Sequence, residues 1–276
     1  MKRRGAKIDS EPTRRDGRPT DRSGGARLSS SAPDREILFG LHPVAEALSA
    51  GRRRIFRVLV AKTRTGPALD RILALAGEKG VPVEEKDPSF FRDPDVASQG
   101  VAALASPFPL TDFPEALARA VIGPGAPLVL VLDGIEDPHN CGALLRTALC
   151  AGVSFAVLPE RRSSPLSPAV SKASAGALEH MAVCRVTNLI PALADMKKAG
   201  LWIFGADAAA QAEIWDADLS LPAALCIGGE GKGLRPLVAK NCDTLVRIPQ
   251  AGTIGSLNAS VAGAILLYEA LRQRRK

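Results

Sequence analysis

The most informative segment of the chain runs from Leu225 to Tyr268 and reads LCIGGEGKGLRPLVAKNCDTLVRIPQAGTIGSLNASVAGAILLY. Two apolar runs, Ala223–Ile227 and Thr244–Ile248, predict strands, and each strand is followed by a loop rich in glycine. The second loop leads into a long Ala- and Leu-rich helix, which Asn258 or Ser256 is placed to cap. Small polar groups at the ends of strands predict a ligand crevice in an α/β protein.

The sequence upstream continues the alternation of strands and helices. The run LVLVLD at Leu128–Asp133 is typical of a strand buried on both faces. A polar turn follows it, and then a predicted helix over Gly142–Ala151. Polar loops therefore follow three predicted strands, at Asp137–Arg146, Gly228–Gly233 and Pro249–Asn258. Helices between short apolar strands indicate a mostly parallel sheet, so these loops are expected to converge at one edge of it.

The length of 276 residues indicates about two domains. Residues 1–35 form a basic tail with almost no large apolar residue, which predicts disorder. Residues 36–107 alternate strand and helix patterns and predict a small α/β domain, whose strands we place at Ile55–Ala61, Val81–Glu84 and Gly100–Ala105. A linker rich in proline and glycine, 108–127, carries a short helix and precedes the larger domain, 128–276.

The formal charge of +7 is concentrated in the tail, where ten Lys and Arg face five acids. A basic tail gains affinity for RNA by releasing counterions from phosphates, although a solvating tail without a partner explains the charge equally well. The small domain adds basic residues that we expect to be exposed, either to grip a phosphate backbone or to guard a sheet edge. They are Arg52, Arg53, Arg54, Arg57, Lys62 and Arg64.

No apolar run reaches the roughly 20 residues that span a bilayer, so we expect a cytoplasmic protein with no membrane partner. The five cysteines have no CxxC spacing and predict neither disulfides nor a metal site. Four of them lie in apolar surroundings typical of buried thiols, and for Cys141, inside a polar motif, a packing role is favoured.

The three loops together resemble the three signature motifs of the SpoU, or TrmH, family of RNA ribose methyltransferases, within the SPOUT superfamily. The matching segments are DPHNCGALLRTA, CIGGEGKGL and IPQAGTIGSLNASVAGAILLYEALRQR. FGLHPVAEAL and QGVAAL also look like the small substrate-binding domain of that family. KASAGALEHMAVCRVTNL, from Lys172 to Leu189, resembles the branch that methylates a guanosine ribose in large-subunit ribosomal RNA.

This resemblance implies an α/β fold with a C-terminal trefoil knot and a small N-terminal domain like ribosomal protein L30e. It also implies a homodimer and S-adenosylmethionine as cofactor, with Gly228, Ile248 and Leu257 at the positions that hold it. Other cofactors are poorly supported by the motifs. GEGKGL is not a P-loop, because Lys232 is followed by glycine, and no GxGxxG follows the strand that ends at Asp133.

The resemblance places catalysis on Arg146, with Asn140, Glu230, Ser256 and Asn258 completing the site. Because an arginine is always charged near neutral pH, we interpret Arg146 as a group that binds a phosphate and stabilises the developing alkoxide. A deprotonated arginine or a phosphate oxygen as proton acceptor stays open. We expect Glu230 to partner Arg146.

Each of these residues also has a purely structural interpretation. In that interpretation Asn140 and Asn258 simply cap helices, and Glu230 is an ordinary surface acid. Arg146 then pairs with an acid one turn away on its helix.

The sequence thus predicts an enzyme that methylates the 2′-hydroxyl of a guanosine in ribosomal RNA. Methylation of transfer RNA by the same machinery is one alternative. A non-catalytic RNA-binding assembly factor is another, although it would have no need to keep Asn140, Arg146, Glu230 and Asn258 together.

Overall fold

A computed structural model describes residues 34–92, 98–252 and 255–275. Residues 1–33, which make up most of the predicted disordered tail, lie outside the described residues. The described chain forms two sheets, of four and of seven strands. No helix in the described ranges is long and apolar enough to cross a membrane.

The four-stranded sheet belongs to the N-terminal unit. Its strands lie in the order β1-β4-β2-β3, where β4 is antiparallel to β1 and β2, and β3 is parallel to β2. The elements are β1 (Glu36–Phe39), α1 (Leu41–Ala50), β2 (Ile55–Ala61), α2 (Pro67–Glu78), β3 (Val83–Lys86) and β4 (Val101–Ala105). Leu48 of α1 and Ile72 of α2 are fully buried in its core. The sequence predicted three of these strands and missed β1, a four-residue strand that borders the tail.

The seven-stranded sheet belongs to the C-terminal unit, and every ladder in it is parallel. Its strand order is β7-β6-β5-β10-β8-β11-β9. The elements are α3 (Phe113–Ile122), β5 (Leu128–Asp133), α4 (Pro138–Cys150), β6 (Phe155–Pro159), α5 (Pro168–Ala173), β7 (Val183–Val186), α6 (Leu189–Lys198), β8 (Trp202–Ala206), β9 (Ala212–Glu213), β10 (Ala223–Gly228), α7 (Pro236–Asn241), β11 (Thr244–Arg247) and α8 (Ala259–Arg274). The predicted α/β class with a mostly parallel sheet is confirmed.

The sheet lies between two helical layers because β5, one of its inner strands, is apolar on both faces. Leu128, Leu130 and Leu132 of β5 pack in the core that α4, α5 and α8 cover. Val129 and Val131 point the other way, into the core that α3 and α6 cover. Since all strands run in the same direction, the loops after β5, β8, β10 and β11 emerge at one edge of the sheet.

Two local predictions were wrong. Helix α4 begins at Pro138 rather than near Gly142, because the Asp137 side chain accepts hydrogen bonds from the backbone N–H groups of His139 and Asn140. Asn140 therefore lies inside the first turn and does not cap the helix. In the basic cluster Arg53 is buried, not exposed, and Arg52 and Arg64 are only partly exposed.

Candidate functional site

A cavity of about 580 Å³ opens at the carboxyl edge of the seven-stranded sheet. Its walls come from the loops that follow β8, β10 and β11 and from the start of α8. Six of the eight predicted site residues line it: Gly228, Glu230, Ile248, Ser256, Leu257 and Asn258. The convergence of the second and third polar loops, expected from the parallel strands, is confirmed.

Gly228 lets the loop after β10 fold back on itself. It is buried, and a Cβ atom there would lie 2.1 Å from the carbonyl carbon of Gly233 and 2.3 Å from the amide nitrogen of Leu234. The Gly233 N–H donates to the carbonyl of Gly229 at 3.0 Å, and Gly233 itself has a φ of 61°. Only glycine allows such a close approach of backbone to backbone, so this loop presents peptide groups to the cavity.

Asp133 fixes the other end of the same loop. Its buried carboxylate accepts a hydrogen bond from the Arg235 backbone N–H at 2.8 Å and another from Arg235 Nε at 2.5 Å. The Gly229 N–H also donates to the Asp133 carbonyl, at 2.9 Å. Asp133 was not among the predicted site residues, although a carboxylate that ends an otherwise apolar buried strand was the available signal.

Three predicted site residues, one from the first turn of α4 and two from the loops after β10 and β11, meet at the mouth of the cavity. Glu230 Oε1 accepts hydrogen bonds from Asn140 Nδ2 at 2.9 Å and from Asn258 Nδ2 at 2.6 Å. Asn258 Nδ2 also donates to Asn140 Oδ1, at 3.0 Å. We call Asn140, Glu230 and Asn258 the carboxamide cluster. It ties the first polar loop to the second and third, and it fixes a carboxylate beside the cavity.

Asn258 is both a cap and a member of this cluster. Its Oδ1 accepts from the backbone N–H groups of Ser260 and Val261, which begin α8, at 2.9 and 3.3 Å. Its Nδ2 is thereby turned toward Glu230 and Asn140. The structural interpretation of Asn258 and the functional one are therefore compatible.

Arg146 stands apart from the cavity. It is exposed, it does not line the cavity, and it makes no hydrogen bond or ion pair with any described residue. The expectation that Glu230 pairs with Arg146 was wrong. Six residues along an α-helix turn the side chain by about 240°, so Arg146 and Asn140 point to different faces of α4.

Two further charged residues of the cavity wall, Asp207 and Lys232, were missed. Asp207 follows β8, and its Oδ1 accepts from the Ala209 backbone N–H at 2.8 Å. Lys232 lies in the glycine-rich loop and is exposed. The cavity thus offers apolar side chains, peptide groups and both signs of charge, which suits a small zwitterionic ligand with an apolar ring.

The cysteines lie mostly where expected. Cys141 is fully buried, and burial raises the pKa of its thiol to about 12, which fits the packing role. Burial likewise raises the pKa of Cys184 to about 12. Cys150, predicted to be buried, is exposed because it ends α4 on its outer face. Among the described residues, no group of three His, Cys, Asp or Glu side chains is arranged to hold a metal ion.

Comparison with known proteins identifies both units. Residues 127–268 match the model of the SpoU rRNA Methylase family, and residues 37–111 match the model for RNA 2′-O ribose methyltransferase substrate binding. A Pseudomonas putida protein named 23S rRNA (guanosine-2′-O-)-methyltransferase RlmB is 39% identical over 247 residues, which cover 87% of this chain and 97% of that protein.

Solved structures give the same result. An AdoMet-bound rRNA methyltransferase from Sinorhizobium meliloti superposes with a TM-score of 0.71 at 26% identity, over 88% of this chain and 89% of its own. A TrmH/SpoU tRNA modifying enzyme from A. aeolicus has a TM-score of 0.51 at 27% identity. It covers 84% of its own chain but only 59% of this one.

Proposed function

Because the chain belongs to the SpoU rRNA methylase family, we propose that it methylates the 2′-hydroxyl of a guanosine ribose in 23S ribosomal RNA, with S-adenosylmethionine as methyl donor. The observation that carries the proposal is the carboxamide cluster of Asn140, Glu230 and Asn258, which joins all three family motifs at the mouth of the cavity. We place this reaction in the cytoplasm, where ribosomal RNA is found.

The cavity fits S-adenosylmethionine in size and chemistry. Its volume of about 580 Å³ lies in the usual range for small-molecule sites. We assign Gly228, Ile248 and Leu257 to the cofactor: Gly228 presents backbone, and the two aliphatic side chains offer apolar surface to the adenine ring. When bound, the cofactor supplies a methyl group that its positive sulfonium already activates. The carboxylates of Glu230 and Asp207 lie in the same wall and favour such a cation.

A ribose hydroxyl is a poor nucleophile at neutral pH, so the side chains must align it and help remove its proton. We assign Arg146 to the RNA: its exposed guanidinium, which has no partner among the described residues, is free to bind a phosphate in a bidentate manner and to stabilise the developing alkoxide. Asn140, Glu230, Ser256 and Asn258 hold the loops and the wall of the pocket. The proton acceptor is either a phosphate oxygen of the substrate or a deprotonated Arg146.

Ribosomal RNA is favoured over transfer RNA by the N-terminal unit. The tRNA-modifying structure corresponds to only 59% of this chain, whereas the rRNA methyltransferase corresponds to 88%. A chain that carries the additional unit has more surface with which to select a large folded RNA. Mapping the methylated nucleotide distinguishes the two substrates.

We propose that the protein works as a homodimer with a trefoil knot in each C-terminal unit. Arg146 lies outside the cavity of its own chain, and α8 exposes Val261 and Tyr268, which supports the approach of a second copy. The close passage of the chain at Gly228 and the cavity wall shared by 228–234 and 255–259 support the knot. Analytical ultracentrifugation tests the dimer, and a predominantly monomeric sample at micromolar concentration would contradict it.

The deciding experiment is methyl transfer from labelled S-adenosylmethionine to 23S ribosomal RNA that lacks the modification. We expect incorporation at one guanosine, and no incorporation would contradict the proposal. Arg146→Ala should lower turnover about 100-fold or more and leave cofactor affinity unchanged, since Arg146 does not line the cavity. Arg119→Ala, a change of another exposed arginine, is the matched control. Full activity of Arg146→Ala would refute the role of Arg146.

A further inference from the structure

The segment KASAGALEH, Lys172–His180, lies against the N-terminal unit and not against the cavity. It contains the end of α5 and a 3-10 turn, Ala177–His180. At Gly176, with a φ of 85°, a Cβ atom would lie 2.7 Å from Cβ of Glu46 on α1. His180 Nε2 lies 2.8 Å from the carboxylate of the same Glu46. This segment therefore forms part of the contact between the two units.

A buried ion pair crosses that contact. Arg53, between α1 and β2, places its Nε 2.9 Å from Glu179 Oε2, and both side chains are almost fully buried, at 0% and 1% exposure. Glu36 contributes a second carboxylate to Arg53, at 3.0 Å. Ser171 donates to the other oxygen of Glu179 at 2.7 Å. Burial raises the pKa of Glu179, while Arg53 and the Ser171 hydrogen bond act to lower it.

The connecting segment reinforces the same contact. Arg52 donates to the backbone carbonyl of Met181 and, at 3.1 Å, to the hydroxyl of Thr111. The ring of Phe108 lies 5.3 Å from the guanidinium carbons of both Arg52 and Arg53. The Thr111 N–H donates to the carbonyl of Val183, on β7, at 2.9 Å. The start of the linker is thus held by both units.

The contact continues to the helix that carries Arg146. A Cβ atom at Gly142 of α4 would lie 2.5 Å from Cβ of Ala173 and 2.8 Å from the backbone nitrogen of Ser174. Such backbone-to-backbone packing leaves no room for α5 to slide along α4. The path from Arg53 through Glu179 and α5 to α4 consists of buried, closely packed groups.

We propose that Arg53 and Glu179 are positioning residues that dock the N-terminal unit onto α5, and through it fix the RNA-binding unit relative to the catalytic helix α4. Only the expected change in the KM for ribosomal RNA rests on the proposed function; the docking of the two units does not. A buried charge that loses its partner costs free energy. Because Arg53 and Glu179 come from different units, the pair forms only when the two units are docked, and it therefore stabilises the docked arrangement. RNA bound by one unit then reaches Arg146 in a fixed register.

The test compares Arg53→Met, which leaves Glu179 buried without its partner, with Arg53→Met/Glu179→Met, which removes both charges at similar volume. In the full-length protein we measure amide hydrogen exchange, the KM for ribosomal RNA, kcat and the Kd for S-adenosylmethionine. In the single variant, exchange at 41–54 and 171–183 should accelerate about tenfold or more and KM should rise by a similar factor. Exchange in β5 and the cofactor Kd should stay within about twofold.

In the double variant, exchange and KM should return toward wild type, because apolar pairs replace buried ion pairs well. Arg119→Met, which breaks an exposed ion pair, is the matched control. Wild-type exchange in Arg53→Met, or a double variant as labile as the single one, would overturn the inference. A parallel loss of cofactor affinity would overturn it as well. If the wild type transfers no methyl group, the proposed function fails, and the exchange data still decide the docking.

Discussion

Replacing Gly228 by alanine should damage the cofactor cavity without unfolding the protein. The added Cβ would lie 2.1 Å from the carbonyl carbon of Gly233, whereas carbon atoms in contact are normally about 3.5 Å apart or more. The obstacle is backbone, so no rotamer change relieves it, and the loop from Gly229 to Gly233 must move by about 1.4 Å. Overpacking of this kind costs about 1–3 kcal/mol.

The size of the binding defect follows from that cost. In the free variant the loop relaxes away from the new methyl group. If the cofactor binds only to the original loop conformation, binding must push the loop back against the methyl group, and the free energy of that strain is lost from the affinity. A cost of 1–3 kcal/mol therefore corresponds to a Kd for S-adenosylmethionine that is about 5- to 150-fold higher. Isothermal titration calorimetry measures the Kd, and thermal unfolding confirms that the variant is folded.

Gly252→Ala is the matched control, since it lies in the loop after β11 and its Cβ would meet no heavy atom within 4 Å. Its Kd should stay within about twofold of the wild type. A Gly228→Ala variant that binds the cofactor as tightly as Gly252→Ala would refute the argument that this backbone approach shapes the cavity.

Three other tests probe the site, the exposed thiol and the core. Glu230→Gln removes the charge that accepts from both Asn140 and Asn258, so turnover in the labelled-methyl assay should fall about tenfold; wild-type turnover would contradict the role of the cluster. Cys150, as the exposed thiol, should react first with a disulfide reagent at pH 8, and Cys150→Ser should abolish that fast phase. Stability in urea should decrease as pH rises from 9 toward 12, because unfolded thiols ionise near 9.0 while the raised pKa values keep buried Cys141 and Cys184 protonated until about 12; unchanged stability at pH 10 would contradict their burial.

Much of the fold and the meeting of the loops could be predicted because both follow from local pattern. LVLVLD is apolar at every position before its aspartate, which required a strand covered on both faces, and β5 is such a strand. Because the strands are parallel, the glycine-rich loop after β10 and the loop before α8 both leave the sheet at the carboxyl ends of the strands, so they lie at the same edge. The contact of Glu230 with Asn258 at 2.6 Å is the consequence.

The errors concern residues whose environment depends on distant parts of the chain or on helical phase. The burial of Arg53 depends on its contacts with Glu179 and Phe108, which are far away in sequence. In the sequence, Glu179 looks like any surface acid and Phe108 like any linker residue. The expected pairing of Glu230 with Arg146 failed because Arg146 was expected to reach the site together with Asn140, which lies in the same motif and does contact Glu230. Counting the turn of the helix from Asn140 to Arg146 would have shown different faces.

That separation has a chemical consequence for the proposed reaction. A carboxylate held against the guanidinium of Arg146 would cancel the charge that must attract an RNA phosphate. Instead, Glu230 accepts hydrogen bonds from two neutral amide groups, and the proposed methyl donor would bring its positive sulfonium to the same cavity. Arg146, unpaired among the described residues and exposed, keeps its positive charge for the polyanion. The carboxamides of Asn140 and Asn258 thus do what an arginine at that place could not: they orient Glu230 and leave both charges available to the two reactants.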